Sequence, residues 1–283
     1  MNKCIFVPFI VIILVLLFAP TINQIGGAIK NCHVCGKHNG KTIKCPPKDC
    51  QPKTPTLPKV EGPFVWGTIK NQIYKKPSNN KGKWQRIKGG LKDVSSSGKG
   101  YIWGTNSWNN IYKCKKPCNG QWKPVDGKLN QVSAGQKEVF GVSSSNRIYR
   151  RPVNGSSKWQ QVRGLLKNIS ASGKGYVWGV NRSNRIYKCK KPCRGRWRGV
   201  NGRLKQVSAG QREVYGINRS NRVYYRPVDG SGKWRRIGGR LKWISATNPK
   251  NVWGVNKNNN IYTCKKPCRG KWKRVAGSLS QIS

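Results

Sequence analysis

The stretch Tyr176-Val177-Trp178-Gly179-Val180-Asn181-Arg182-Ser183-Asn184-Arg185-Ile186-Tyr187 decides the fold, because five further versions of it recur along the chain at a near-constant interval. Two alternating runs flank a short polar turn, so the stretch reads as a β-hairpin. Its aromatic-Gly pair returns as Trp66-Gly67, Trp103-Gly104, Phe140-Gly141, Tyr215-Gly216 and Trp253-Gly254, and the six pairs are spaced 37, 37, 38, 37 and 38 residues apart. A fixed period of this length marks a repeat architecture.

Outward from the hairpin, each repeat holds four short runs of strand composition divided by Gly, Asn, Pro or Lys clusters. In the fourth repeat these are Tyr176 to Val180, Arg185 to Lys188, Arg196 to Arg198 and Leu204 to Ser208. Four strands in about 37 residues make one propeller blade. Trp197 has an arginine on either side, a pattern that suits a strand with one wet face. The tryptophans at 84, 122, 159, 197, 234 and 272, the aromatics before Gly, and Tyr74, Tyr112, Tyr149, Tyr187, Tyr224 and Tyr262 are expected to pack between blades. Each buried ring contributes on the order of 2–3 kcal/mol, which explains how a chain poor in Leu and Phe folds.

The phase of the repeats predicts closure. The first opens with Phe64-Val65-Trp66-Gly67 and has no Leu-x-x-[Val/Ile]-Ser run before it; the last ends with Leu279-Ser280-Gln281-Ile282-Ser283 and has no aromatic-Gly run after it. Each end supplies what the other needs. The expected fold is all-β, a six-bladed β-propeller closed by the C-terminal strand completing the first blade, plus a short Cys-rich N-terminal segment.

Residues 1–28 read as a signal peptide: Met-Asn-Lys, an apolar run from Ile5 to Ala19, then small residues at Gly26-Gly27-Ala28. The run is shorter than the ~20 residues a spanning helix needs, so a secreted, extracellular protein without stable membrane insertion is expected. Residues 29–61 form a Cys/Pro-rich segment and stiff linker, and residues 62–283 the propeller. Loss of Cys4 with the leader leaves ten of the eleven cysteines, an even number suited to disulfides in an oxidising compartment. Cys32, Cys35, Cys45 and Cys50 read as two disulfides with three connectivities open. The competing reading is a zinc site with His33 or His38, and neither metal nor cofactor is expected.

A second period overlies the first. Even repeats carry Cys-Lys-Lys-Pro-Cys, at Cys114 to Cys118, Cys189 to Cys193 and Cys264 to Cys268, whereas odd repeats carry Arg-Pro or Lys-Pro and a Gly/Ser-rich turn. A two-blade unit has been triplicated, and each cysteine pair is expected to clip the loop between the third and fourth strands of its blade.

The pattern Trp-x-x-[Val/Ile], Leu-x-x-[Val/Ile]-Ser-x-Gly, Val-[Trp/Phe/Tyr]-Gly-[Val/Ile/Thr]-Asn, Asn-x-[Ile/Val]-Tyr, clearest from Trp197 to Tyr224, resembles the tectonin repeat of fish-egg lectins and of horseshoe-crab tectonin-type lectins. The resemblance covers Gly62 to Ser283. It implies a six-bladed propeller and, for several members, binding of carbohydrate or lipopolysaccharide and agglutination of bacteria. This chain departs from the family in its charge and in its N-terminal cysteine segment.

Lys and Arg number 57 against 7 Asp and Glu, a formal charge of +50. Anionic partners are expected. An enzyme is not: the acids Asp49, Glu61, Asp93, Asp126, Glu138, Glu213 and Asp229 are scattered, and the repeats hold no His for a triad. For binding, one propeller face is expected to present Asn106, Asn181, Asn218 and Asn256, with Ser143, beside Arg182, Arg219 and Lys257. Trp108, where other repeats have Ser or Asn, is the candidate for stacking on a sugar ring. The Asn at 71, 109, 146, 184, 221 and 259 occurs in every repeat and is read as a turn former. The opposite face is expected to gather Lys115, Lys116, Lys190, Lys191, Arg194, Arg196, Lys265, Lys266 and Arg269 for a polyanion. Trp243 stands where other repeats have Asp, Asn or Gln, facing the channel or a rim. Sequons occur at Asn154, Asn168, Asn181 and Asn218. The expected partners are anionic glycans or bacterial surface polysaccharides. Heparin-like sulfated polysaccharide, acidic matrix or nucleic acid bound by charge alone is the alternative.

Overall fold

The computed structural model describes residues 64–96 and 98–283, with the two short strands Lys37–His38 and Lys41–Thr42. The chain divides into Met1–Val60 and Glu61–Ser283. In the first unit the two strands pair antiparallel, Lys37 opposite Thr42. The leader, Cys32, Cys35, Cys45, Cys50 and the Pro-rich linker lie outside the described residues.

The second unit is a ring of six four-stranded antiparallel sheets. Blade 4 runs, from the axis outward, through Asn168–Ser170, Tyr176–Val180, Arg185–Lys190 and Arg198–Arg203. The ring closes as the repeat phase predicts. In blade 1 the inner strand is Gln281–Ile282, which pairs with Phe64–Ile69 with Gln281 opposite Thr68. Trp66 and Ser283 exchange backbone hydrogen bonds of 2.9 and 2.7 Å. The C-terminal strand therefore covers an edge that an open array would expose.

The core lies between blades. Trp178, Val180 and Ile186 of blade 4 pack with Leu204, Val207, Ala209 and Val214 of blade 5, and the other seams repeat the arrangement. Indoles meet edge-on across the seams, as in Trp66–Trp122 at 6.5 Å, Trp178–Trp234 at 6.2 Å and, at the closing seam, Trp84–Trp253 at 6.5 Å. Edge-to-face geometry sets the positive ring edge against the negative ring face.

Two glycine positions make this packing possible. The Gly after each core aromatic lies over the Leu that opens the same blade: a Cβ on Gly179 or Gly216 would collide with Leu166 or Leu204. In every outer strand a Gly at positive φ, such as Gly164 at 113°, lies against the next blade's Trp, here Trp197. That indole donates Nε1–H to the carbonyl of the preceding residue, Arg163, at 2.8 Å, and the bond recurs at all six seams, including Trp84 to Ala276 at 3.0 Å.

These contacts correct two strand assignments. The outer strand of blade 4 is Arg198–Arg203 and not Arg196 to Arg198, because Trp197 turns sideways into the seam before pairing begins at Lys188 opposite Arg198. The inner strand of blade 5 is Gln206–Ala209, since Leu204 is spent beneath Gly216.

Around the axis the inner strands hydrogen-bond to one another through side chains. Val132 donates its N–H to Asp93 Oδ2 at 3.0 Å, Ile169 to Gln131 Oε1 at 3.0 Å, Val207 to Asn168 Oδ1 and Ile244 to Gln206 Oε1, both at 2.9 Å. A second tier uses the repeat's Ser: Ala134 to Ser95, Ala171 to Ser133, Ala209 to Ser170 and Ala246 to Ser208, each at 2.9 Å. Trp243 interrupts the first tier and donates Nε1–H to Ile282 O at 2.9 Å, which places it in the channel wall.

Candidate functional site

Consecutive strands of a blade are antiparallel, so the Asn turns and the inter-blade connections share one face and the Cys loops lie on the other. The Asn turns are built by their own side chains. Asn184, Asn221 and Asn259 hold φ of 62 to 63°, a left-handed conformation Asn tolerates. Asn106 Oδ1 accepts the N–H of Asn110 at 2.9 Å, Asn181 that of Arg185, Asn218 that of Arg222 and Asn256 that of Asn260, all at 2.9 Å. The side-chain oxygens of these four candidate Asn are thus engaged in the turn and Asn106 is buried, while Arg182, Arg219 and Lys257 beside them are exposed. Trp108, its N–H held by Asn106 Oδ1 at 3.0 Å, is 73% exposed, so its indole does not pack on its own loop. Asn168 is buried in the channel belt, with its Nδ2 on Gln131 Oε1 at 3.2 Å.

On the opposite face all three Cys-Lys-Lys-Pro-Cys loops form the expected local disulfides, Cys114–Cys118, Cys189–Cys193 and Cys264–Cys268. The two lysines of each loop have different roles. The second turns inward: Lys191 Nζ donates to Ala171 O at 2.6 Å and Gly173 O at 2.8 Å, Lys116 to Ser96 O and Gly98 O, and Lys266 to Ala246 O and Asn248 O. Desolvation lowers the pKa of each, that of Lys266 to about 8. These three ammonium groups cap backbone carbonyls and are not free at the basic tip as expected, although the Lys116 side chain stays exposed while Lys191 and Lys266 are half-buried. Lys115, Lys190 and Lys265 remain exposed.

The loops of blades 2 and 4 each border a cavity, and that of blade 6 is built differently. In blade 4 a cavity of about 560 Å³ is lined by Tyr176, Lys188, Lys190, Arg194, Arg196 and Arg198. In blade 2 one of about 630 Å³ is lined by Tyr101, Lys113, Lys115, Gln121 and Lys123. Lys188 Nζ lies over the Tyr176 ring, 5.4 Å from its centre, and donates to Asp229 O, and Lys113 Nζ lies over Tyr101 at 5.7 Å and donates to Asn154 O at 2.6 Å. Blade 6 has Asn251 and Thr263 at these positions, and Arg269 lies 4.3 Å over Tyr225 while pairing with Glu213 at 3.1 Å. Arg194 lies 3.6 Å from Glu138.

A Tyr face next to several Lys and Arg is an arrangement suited to a sugar ring carrying an anionic substituent. Of the lining residues the sequence pointed to Lys190, Arg194 and Arg196 in blade 4 and Lys115 in blade 2, and not to Tyr101, Tyr176, Lys113, Lys123, Lys188 or Arg198. Their signal was present: Tyr and Lys occupy equivalent positions in the second and fourth repeats and not in the sixth. Among the described residues no group of three or more His, Cys, Asp and Glu is placed to hold a metal.

Solved structures with the same fold include Prp20p from Saccharomyces cerevisiae, 9% identical with a TM-score of 0.51 over 76% of each chain. The WD40 repeats of RRP9 are 10% identical with a TM-score of 0.52, over 77% of this chain and 79% of that one. At such identities the likeness is one of fold. No curated protein matches the sequence. The Tectonin domain family model matches twice, at residues 60–192 and 153–283, and with the two matches spanning the whole propeller, the chain belongs to the tectonin-domain family.

Proposed function

We propose that the protein is a secreted lectin of innate defence that recognises anionic microbial glycans such as the phosphorylated sugars of lipopolysaccharide. Family membership supports carbohydrate binding in general. The observation that carries the finer reading is the pair of Cys-loop cavities in blades 2 and 4, each setting a Tyr beside a Lys and further cations. A Tyr face accepts the apolar side of a pyranose, and the ammonium and guanidinium groups take its phosphate or carboxylate. Two like sites on one rigid ring engage a repeating polymer with avidity, and the charge of +50 steers polyanions toward it. Trp108, on the other face, offers a separate stacking surface.

Glycan binding measured at low salt and at about 0.5 M salt separates this reading from capture by charge alone, which falls steeply as counterions are released. Acidic glycans are expected to stay bound at the higher salt and to be displaced by a free monosaccharide. Tyr101→Ala with Tyr176→Ala is expected to weaken binding roughly tenfold. If salt releases every ligand and no monosaccharide competes, the protein is a polyanion binder and the lectin reading fails. The charge itself favours that second reading.

A further inference from the structure

The axial mouth on the Asn-turn face is a second basic cavity, distinct from the Cys-loop pockets. It has a volume of about 550 Å³ and is lined by Lys92, Lys167, Lys205, Lys242 and Trp243, above a floor that includes Asp93 and Gln206. The lysines come from one position, the residue after the Leu that opens each blade. Blades 3 and 1 have Asn130 and Ser280 there, so the position accepts neutral residues and charge is not required for folding.

Each ammonium is held in place. Lys167 Nζ donates to Asn184 Oδ1 at 2.6 Å, Lys205 to Asn221 Oδ1 at 2.5 Å, Lys242 to Asn259 Oδ1, and Lys92 to Asn109 Oδ1 at 2.6 Å and Asn130 Oδ1 at 2.8 Å. The turn Asn thus fixes the chain and aims the cation. An ammonium has three donors, and these bonds engage one on each of Lys167, Lys205 and Lys242. Burial lowers the pKa of all four, and Lys205 is lowered further by Lys167 and Lys242 of the blades on either side. Arg219 adds to the field at Lys167. The acid facing the cavity, Asp93, is buried, accepts the Val132 N–H and is pushed up to about 7 by desolvation, so it neutralises the lysines poorly.

We propose that this mouth is a phosphate-binding site, with Lys167, Lys205 and Lys242 taking the phosphate oxygens of a phosphorylated sugar and Trp243 lining the wall beside the sugar. Convergent cations left uncompensated in a cavity lower their own repulsion by taking up an anion, and a compact, multiply charged group reaches three ammoniums at once where a single carboxylate does not. The proposal rests on the lectin reading for the sugar and stands without it for the phosphate.

Titration calorimetry on the full chain in about 0.15 M salt tests it, with pyrophosphate, glucose 1,6-bisphosphate and glucose as probes. Pyrophosphate and the bisphosphate are expected to bind and glucose not. Lys167→Gln/Lys205→Gln/Lys242→Gln is expected to weaken both about 100-fold. Lys99→Gln/Lys174→Gln/Lys250→Gln, equal in charge removed but exposed on the other face and outside every cavity described above, is expected to change affinity less than about twofold. The single variant Lys205→Gln, with an intact melting curve, guards against misfolding. Equal losses from the two triple variants, or no binding of pyrophosphate by the native chain, overturn the site. Pyrophosphate bound as tightly as the bisphosphate keeps the phosphate site and removes the sugar. Failure here with glycans still held at high salt leaves the lectin reading standing. Vesicles carrying a phosphomonoester headgroup, retained by the native chain and lost by the mouth variant, assign a lipid-borne source rather than a soluble one.

Discussion

Single residues show how one repeat position serves geometry in one place and function in another. Gly164 and Gly175 both hold positive φ, at 113 and 72°, but only Gly164 has a neighbour, the Trp197 ring at 3.0 Å from where a Cβ would lie. Gly175→Ala is expected to cost about 1 kcal/mol of backbone strain. Gly164→Ala adds displacement of the indole, for about 2–4 kcal/mol in all, so urea melts of the two variants isolate the contact. Asp93 supplies a pH test. Its pKa is about 7 folded against 3.8 for the free group, so between those values the folded chain keeps a proton that the unfolded chain has released. Stability contributed by this group therefore falls as pH rises from about 4 to 7 and is level above. Asp93→Asn, which installs the residue that blade 4 carries at Asn168, is expected to flatten that part of the profile and to raise stability at pH 8 by on the order of 2–4 kcal/mol. The Asn in every repeat was legible as a turn former. That Asn106 and Asn181 spend their oxygens on backbone N–H groups was not, because an Asn side chain serves a turn or a ligand with the same atoms.

At the scale of elements, strand number, order and phase were legible, and strand edges were not. A Trp between two arginines looks like strand, but Trp197 is bonded across the seam to Arg163, a contact between residues 34 apart that local alternation cannot reveal. The Cys loops were legible as clips joining the third and fourth strands. Each closes a short loop, so reduction is expected to cost about 2 kcal/mol per bridge at most, and melts of Cys189→Ser/Cys193→Ser against the native chain, both without reductant, measure one of them. The loops looked threefold equivalent in sequence. The structure separates them, because Tyr176 of the second strand and Lys188 beside Cys189 complete the blade 4 pocket, and blade 6 has Asn251 and Thr263 there.

For the whole molecule, closure is what the last five residues provide. Ile282 and Ser283 pair with Phe64–Ile69, Gln281 Nε2 donates to Val94 O at 2.9 Å, Trp243 reaches Ile282 O, and Ser96 N–H reaches Ser283 Oγ at 3.0 Å. Removal of Leu279 to Ser283 strips the inner strand from blade 1 and breaks the axial belt on both sides. The truncated chain is expected to lose cooperative unfolding and to expose a strand edge. A melt that superposes on that of the intact protein would refute this account of closure.

By itself the sequence determined the period, the number of blades, the closure and the triplicated clip, since each depends on residues near one another in the chain or on counting repeats. Only the tertiary structure decided which basic residues form sites. Lys191 caps carbonyls while Lys190 stays exposed, and Lys167, Lys205 and Lys242, separated by whole blades, converge on the axis. The physical reason is the ring: residues 37 or 38 apart become neighbours around one axis, and their charges act together only after the blades have been brought into a circle.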